Sequence, residues 1–325
     1  MILVVDERLF ASESARDVDL LSLLRLAGLR GHGLLIQANP RPACPPSDAD
    51  RAAVWCQSLH GRVAREAQVL LELVRNLSAS MTTWNADRVL VSDRWDCPRG
   101  ECRLTLAEAL RVLGEPLHVL VENGLRDAAF LRRVMPAAWR ARISEWEKAG
   151  RVRFEHGGGI SELAEIVSFM GGKAGAEETW GTPTGAWQLI HFVVFDHDGD
   201  APHTPSKQAT KLKEICRSQG LSKRSHMLER RRQEYYLPRE AMERLACEQL
   251  TDRQQKDDTM AAIGAFFSGG QRRHGELPGP VACDWWKNRF WFHRDQTPRW
   301  PDLWFSMDGA WQEMTRLAEA LERAL

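Results

Sequence analysis

Apolar residues fall along this chain in two rhythms. Short unbroken runs that end on a charged residue read as buried strands, and stretches with apolar residues three or four apart read as amphipathic helices. Residues 2–5 form the first run and end at Asp6. A helix over 18–29 and a strand over 33–37 follow, and then a segment with Pro40, Pro42, Pro45 and Pro46 that reads as a loop. Residues 52–76 carry Val54, Leu59, Val63, Ala67, Leu70, Leu71 and Val74 at helical spacing. A strand at 88–91 stops just before Asp93. Thr105, with Glu108 three residues on, has the pattern of a capping box opening a helix over 106–113.

The pattern is sharpest in the middle of the chain. The run 117–121 ends at Glu122, Gly124 marks a turn, and Asp127 opens a helix with Ala128, Phe130, Leu131 and Val134 on one face. A strand over 151–154 enters His156-Gly157-Gly158-Gly159, and a helix over 160–170 leads to a glycine-rich stretch over 171–185. The most apolar strand, 189–195, runs directly into Asp196-His197-Asp198-Gly199-Asp200, and a helix over 206–219 follows. Strands alternating with helices predict a mainly parallel, Rossmann-like α/β sheet. Both acidic groups fall at the carboxyl ends of strands, where open α/β sheets place their sites. After Pro238 the pattern turns helical, over 240–249, 259–267 and 311–325, with Trp285, Trp286, Trp291, Trp300, Trp304 and Trp311 among the helices. Three regions result: an α/β region over 1–115, the acidic α/β domain over 116–238, and a mostly helical, tryptophan-rich region over 239–325.

Composition narrows the function classes. With 43% hydrophobic residues in 325, the chain can bury a substantial core. Lys plus Arg equals Asp plus Glu at 44 each, which argues against a purely electrostatic nucleic-acid binder but not against a local basic groove. The seven cysteines are scattered, and the Cys97/Cys102 pair lacks a second pair nearby, so free thiols in a reducing cytoplasm are expected rather than a zinc site. The start, Met-Ile-Leu-Val-Val-Asp-Glu-Arg, has no basic region of the kind that opens a signal peptide. No membrane span is expected, because Arg25, Arg30 and His32 interrupt the most apolar stretch, 20–36.

The acids carry the candidate chemistry. On an extended segment, Asp196, Asp198 and Asp200 point to one side. Three carboxylates so placed repel one another unless a hard cation such as Mg²⁺, Mn²⁺ or Ca²⁺ sits among them. Glu122, at the end of another strand, can close such a site. The plain alternative is a solvated acidic turn. A calcium-binding EF-hand loop is excluded, because its glycine and glutamate positions hold Ala201 and Lys207. An apolar strand followed by D-x-D-G is also similar to the nucleophile motif of haloacid dehalogenase-like phosphatases. In that reading Asp196 attacks phosphorus, Asp198 is the acid, and Asp257 and Asp258 supply the late acidic pair.

The order of motifs resembles the TOPRIM domain of topoisomerases, primases and OLD-family nucleases. Val119-Leu120-Val121-Glu122-Asn123-Gly124-Leu125-Arg126-Asp127 is similar to the family's first motif, Gly157–Gly159 to its glycine turn, and Asp196 and Asp198 to its D-x-D pair. Leu228-Glu229-Arg230-Arg231-Arg232-Gln233-Glu234-Tyr235-Tyr236-Leu237-Pro238 resembles a segment of OLD-type and related defence proteins. The likeness spans roughly 116–238. It departs from the family at Asn123, which stands for a glycine, and in the Glu122–Asp127 spacing, which is one residue longer. The resemblance implies a Mg²⁺ (or Mn²⁺) site of Glu122, Asp196, Asp198 and Asp200, with Asp127 as a catalytic acid or, on the plainer view, a helix cap. It implies Glu229 and Glu234 as weaker acids, Lys207 as a catalytic cation, and Lys211, Arg230 and Arg231 as contacts to nucleic acid.

Two functions from different classes follow. One is a metal-dependent nuclease acting on DNA or RNA, as the effector of a bacterial anti-phage system. The other is a non-catalytic subunit using a degenerate TOPRIM fold to bind a partner. The chain has no G-x-x-x-x-G-K-[ST] loop, so an ATPase or sensor subunit would act in trans, and a homo-oligomer is left open. Tyr235 and Tyr236 are read as packing residues. Asp6 and Asp93 are read as turn or cap residues. The tryptophans, with Lys287, Arg289, His293, Arg294 and Arg299, are read as an aromatic core, and Gln271-Arg272-Arg273-His274 as a solvated loop. The discriminating feature is sheet order: a TOPRIM site sets Glu122 beside Asp196 on neighbouring strands, whereas a phosphatase leaves Asp196 with a lysine and a later acidic pair.

Overall fold

The computed structural model describes residues 1–11, 16–37, 50–80, 88–93, 103–171, 186–268, 301–307 and 309–325. Cys97 and Cys102, the glycines of 172–185, the run 271–274, Trp285, Trp286, Trp291 and Trp300 with the cations among them lie outside the described residues. The chain divides into two compact units. One comprises Met1–Leu117, Met170–Ile190 and Glu322–Leu325, and the other His118–Phe169 and His191–Leu321. Each is built on a four-stranded parallel sheet, so the α/β expectation holds.

In the first unit, β1 (Ile2–Asp6), β2 (Gly33–Gln37), β3 (Arg88–Val91) and β4 (Arg103–Leu104) lie in the order β2-β1-β3-β4. All pairs are parallel. Every residue of the inner strand β1 is buried, as expected for a parallel strand covered on both faces. The helices are α1 (Asp17–Arg30), α2 (Arg51–Ser58), α3 (Gly61–Ser80) and α4 (Leu106–Gly114). The capping box of α4 forms as read: Thr105 accepts from the Glu108 N–H at 3.3 Å, and the Glu108 carboxylate accepts from the Thr105 N–H at 2.7 Å. The single helix expected over 52–76 is instead two. The chain is extended at Leu59 and left-handed at Gly61 (φ 58°), and α2 and α3 both press apolar residues into the same core. The periodic pattern therefore runs across a break, and Val54 and Val63, two of its apolar positions, are exposed. Asp6 and Asp93 cap and pair. Asp6 accepts from the Arg8 N–H (3.0 Å) and the Ser92 hydroxyl (3.0 Å), and Asp93 stands 3.4 Å from the Arg16 guanidinium.

The second sheet holds β5 (Leu117–Val121), β6 (Val152–His156), β7 (His191–Phe195) and β8 (Ser225–Met227), in the order β6-β5-β7-β8. β5 and β7 are parallel neighbours, with Val119 beside Phe192 and Leu120 beside Val193. β8 continues the sheet beyond β7, pairing Val193 with Ser225 and Phe195 with Met227. All five residues of β7 are buried, each large apolar side chain contributing about 1.5–3 kcal/mol. The helices of this part are α5 (Arg126–Val134), α6 (Ala137–Lys148), α7 (Ile160–Gly171), α8 (Lys207–Ser218), α9 (Arg239–Gln249), α10 (Arg253–Ser268), α11 (Asp302–Met307) and α12 (Ala310–Ala324). Among the described residues no helix is long and apolar enough to cross a membrane.

Candidate active site

The site grows from two strand ends. β5 hands the chain to Glu122 and β7 hands it to Asp196, and because the strands are neighbours the two acids meet. The Asp196 N–H donates to Glu122 Oε1 at 3.1 Å. After Glu122 the chain turns tightly. Asn123 Oδ1 accepts from the Arg126 N–H (3.0 Å) and so caps α5, which gives a physical role to the asparagine standing where the resembled family has glycine. The Asp127 carboxylate folds back onto the Asn123 N–H at 2.7 Å, so Asp127 closes the turn from the other side. The turn lies against the end of β6. The Gly124 N–H donates to His156 Nδ1 (3.3 Å), and the Gly157 N–H donates to the Val121 carbonyl (2.7 Å). A Cβ on Gly157 would stand 2.6 Å from the Leu163 side chain and 3.0 Å from the Val121 oxygen, so a larger residue there would have to displace Leu163.

Past Phe195 the chain does not stay extended, and Asp196, Asp198 and Asp200 do not share a side as expected. Asp198 is left-handed (φ 52°), a conformation aspartate tolerates better than most residues, and this breaks the alternation. Its N–H donates to the Arg231 carbonyl (2.8 Å), and its carboxylate takes the Arg232 guanidinium at 2.7 Å. Asp200, 85% exposed, pairs with Arg231 at 2.8 Å. The segment between Gly199 and α8 is a compact turn. The Ser206 N–H donates to the His197 carbonyl (3.0 Å) and the Thr204 N–H to the Ala201 carbonyl (3.0 Å). A Cβ on Gly199 would lie 1.9 Å from the Thr204 oxygen.

Glu234 joins the acids from the short helix Gln233–Tyr236. It is 7% exposed, and its charge acts on both Asp196 and Asp127. Glu229, the other weaker candidate, faces solvent and pairs with Arg316. Burial and mutual repulsion dominate the electrostatics. The Glu122 carboxyl is pushed from the usual 4.5 to about 7, by burial first and then by Asp127 and Asp198, against the Asp196 N–H and Arg232. Burial also raises Asp196 well above its ordinary value, with Glu122, Glu234, Asp127 and Asp198 adding to the effect. Asp127 is raised by burial, against the hydrogen bonds from Asn123 and Gln233.

Such a group has two ways to relieve its repulsion: keep protons, or take up a hard cation. The donor set is all carboxylate oxygen and suits Mg²⁺ or Mn²⁺. As arranged, no group of three His, Cys, Asp or Glu among the described residues stands ready to hold an ion, and Asp198 and Asp200 are instead paired with Arg232 and Arg231.

The cations read from the sequence scatter. Lys207 and Lys211 lie exposed one turn apart on α8, which Ser206 caps by accepting from the Ala209 N–H (3.1 Å). Arg230 does not face solvent. It is 2% exposed, its Nη1 donates to the Tyr235 carbonyl (2.7 Å), and its guanidinium lies 4.7 Å from the Tyr236 ring centre. In that position it holds the segment together and cannot meet a phosphate, which corrects its reading as a nucleic-acid contact. Tyr235 and Tyr236 are buried, as packing residues are.

Sequence reasoning missed Glu313 of α12. It is 3% exposed, and its carboxylate takes the Tyr236 hydroxyl (2.7 Å), the Glu229 N–H (2.8 Å) and His226 Nε2 (3.1 Å). Those three bonds tie the last helix to β8 and to the segment that supplies Arg231, Arg232 and Glu234. An acid within an amphipathic helix carries no local signal of such a role. In comparison with known proteins, the chain matches no family model, no curated protein and no solved structure.

Proposed function

We propose that this chain is a divalent-metal-dependent nuclease with a TOPRIM-type site, cleaving phosphodiester bonds in DNA or RNA as the cytoplasmic effector of a bacterial anti-phage system. The observation that carries the reading is the meeting of Glu122 and Asp196 at the ends of adjacent parallel strands, with Asp127 and Glu234 close enough to raise the proton affinity of Asp196. Glu122 and Asp196 would hold the ion, with Asp198 joining once it leaves Arg232. The metal supplies an acidified water and neutralises charge on the phosphate. Asp127 keeps the Glu122 turn closed. Lys207 and Lys211 offer charge to the nucleic-acid backbone from the exposed face of α8, and the released Arg231 and Arg232 would add to it. An ATPase or sensor subunit supplied in trans is part of the proposal, since no nucleotide-binding loop is read in the chain.

The phosphatase reading loses support from the placement of its late acidic pair. Asp257 and Asp258 are exposed in the body of α10 and do not end a strand. The test is incubation of plasmid DNA and total RNA with Mg²⁺ or Mn²⁺, or with EDTA, comparing wild type with Glu122→Ala and Asp196→Ala. Cleavage abolished by EDTA and by either substitution supports the nuclease. Hydrolysis of a small phosphate ester that needs Asp196 and not Glu122 would replace it with the phosphatase.

A further inference from the structure

A cavity of about 550 Å³ opens in the second unit between α8 and the edge strand β8, and none of Glu122, Asp127, Asp196 and Glu234 lines it. Its volume falls in the range typical of small-ligand sites. One wall is a single face of α8, Thr210, Lys213, Glu214 and Arg217, spaced three and four residues apart. The opposite wall is β8 itself, Ser225, His226 and Met227, with Ser222 at the mouth. The floor is Phe195, the residue before Asp196.

The chemistry of the lining divides the cavity. Lys213 and Arg217, one turn apart on the exposed face of α8, provide a point charge and a planar fork, the pairing that binds phosphate. Ser222, Ser225 and Thr210 add hydroxyls that donate or accept as needed. Met227 and Phe195 form an apolar patch with a thioether, a surface that accepts the face or edge of a flat ring. Glu214 is the one acid of the lining, and its charge offsets part of that of Lys213 and Arg217. His226 is held by Glu313, which leaves β8 fixed as the cavity wall.

We infer that this cavity binds one nucleotide unit, its phosphate on Lys213 and Arg217 and its base against Met227 and Phe195. The unit has two sources, a free mononucleotide or one residue of a nucleic-acid strand. The site stands on its own lining and does not depend on the acids being catalytic.

The test is isothermal titration of the full chain, in EDTA so that no cleavage occurs, with adenosine 5′-monophosphate, adenosine, inorganic phosphate and a dinucleotide. The expected result is that the monophosphate binds at least tenfold more tightly than either adenosine or phosphate alone. The Lys213→Ala/Arg217→Ala variant, changed only at exposed positions, should lose that binding at least tenfold while keeping its circular dichroism spectrum and melting temperature. Ser225→Trp, which fills the cavity without removing charge, should lose it too. A dinucleotide that binds more tightly than the monophosphate assigns the site to a strand, and the reverse order assigns it to a free nucleotide. Both orders support the inference. Failure of all four probes to bind at millimolar concentration, or binding indifferent to both variants, would overturn it. Because Glu122→Ala should leave this binding intact, failure of the cavity and failure of the nuclease reading are separable.

Discussion

Glu122 makes a stability prediction that can be worked from its surroundings. Its carboxyl is held near 7 against a usual 4.5, chiefly by burial beside Asp127 and Asp198. Below pH 4.5 the folded and unfolded chains both keep the proton, and the group has no effect. Between 4.5 and 7 the unfolded chain releases it while the folded chain retains it, so stability falls as pH rises, and the loss is complete above about pH 7. At about 1.4 kcal/mol for each tenfold change in acid strength, the loss is about 3 kcal/mol. Glu122→Gln removes the charge and keeps an oxygen to accept from the Asp196 N–H, and it also relieves Asp196, which acts in the same direction. In urea unfolding followed by circular dichroism in EDTA, the variant should match wild type near pH 4.5 and become more stable by about 3 kcal/mol at pH 8. Millimolar Mg²⁺ should shrink that gap by stabilising wild type alone. A difference between the two proteins that does not change from pH 5 to 8 would mean that Glu122 is not desolvated among like charges.

Three further outcomes follow from the packing. Tyr236→Phe removes the donor to buried Glu313 and the acceptor for the Arg230 N–H, and should cost about 2–3 kcal/mol in urea unfolding. Arg230→Ala should destabilise by a similar or larger amount, whereas Arg231→Ala, whose guanidinium is less deeply buried and pairs with the exposed Asp200 as well as with Tyr235, should cost less, so thermal melts of the two variants should separate. Gly199→Ala forces a Cβ onto the Thr204 carbonyl and should lower stability by more than about 2 kcal/mol, with the Gly199–Thr204 amides the most shifted in an NMR spectrum.

What the sequence disclosed and what it hid divide along physical lines. β5 and β7 were legible because each is an apolar run ending on an acid, a pattern fixed by burial on both faces. The Thr105 cap was legible because its partner is three residues away. β8 was missed because Ser-His-Met at a sheet edge is neither apolar nor alternating, and β4 because two residues carry no period. The break between α2 and α3 was missed because hydrophobic spacing records which residues face a core and not whether the backbone between them is continuous. Within the site, Glu122 and Asp196 could be named from their strand ends, whereas Asp127 and Glu234 were named only through the family resemblance and their roles took the fold to see. Glu234 enters the cluster through a short helix inside a polar, arginine-rich segment, and Glu313, which braces that segment, lies 87 residues beyond His226. The turn of Asp198 out of line depends on its bond to the Arg231 carbonyl, a contact that no local pattern encodes.

The most direct test of the metal claim is a Mn²⁺ titration of wild type, Glu122→Gln and Asp196→Asn, with free ion followed by electron paramagnetic resonance. Wild type should bind Mn²⁺, release protons as it does so, and yield the ion to excess Mg²⁺, while each variant should bind about tenfold more weakly or worse. Equal binding by all three proteins, or none by wild type at millimolar Mn²⁺, would contradict the metal claim.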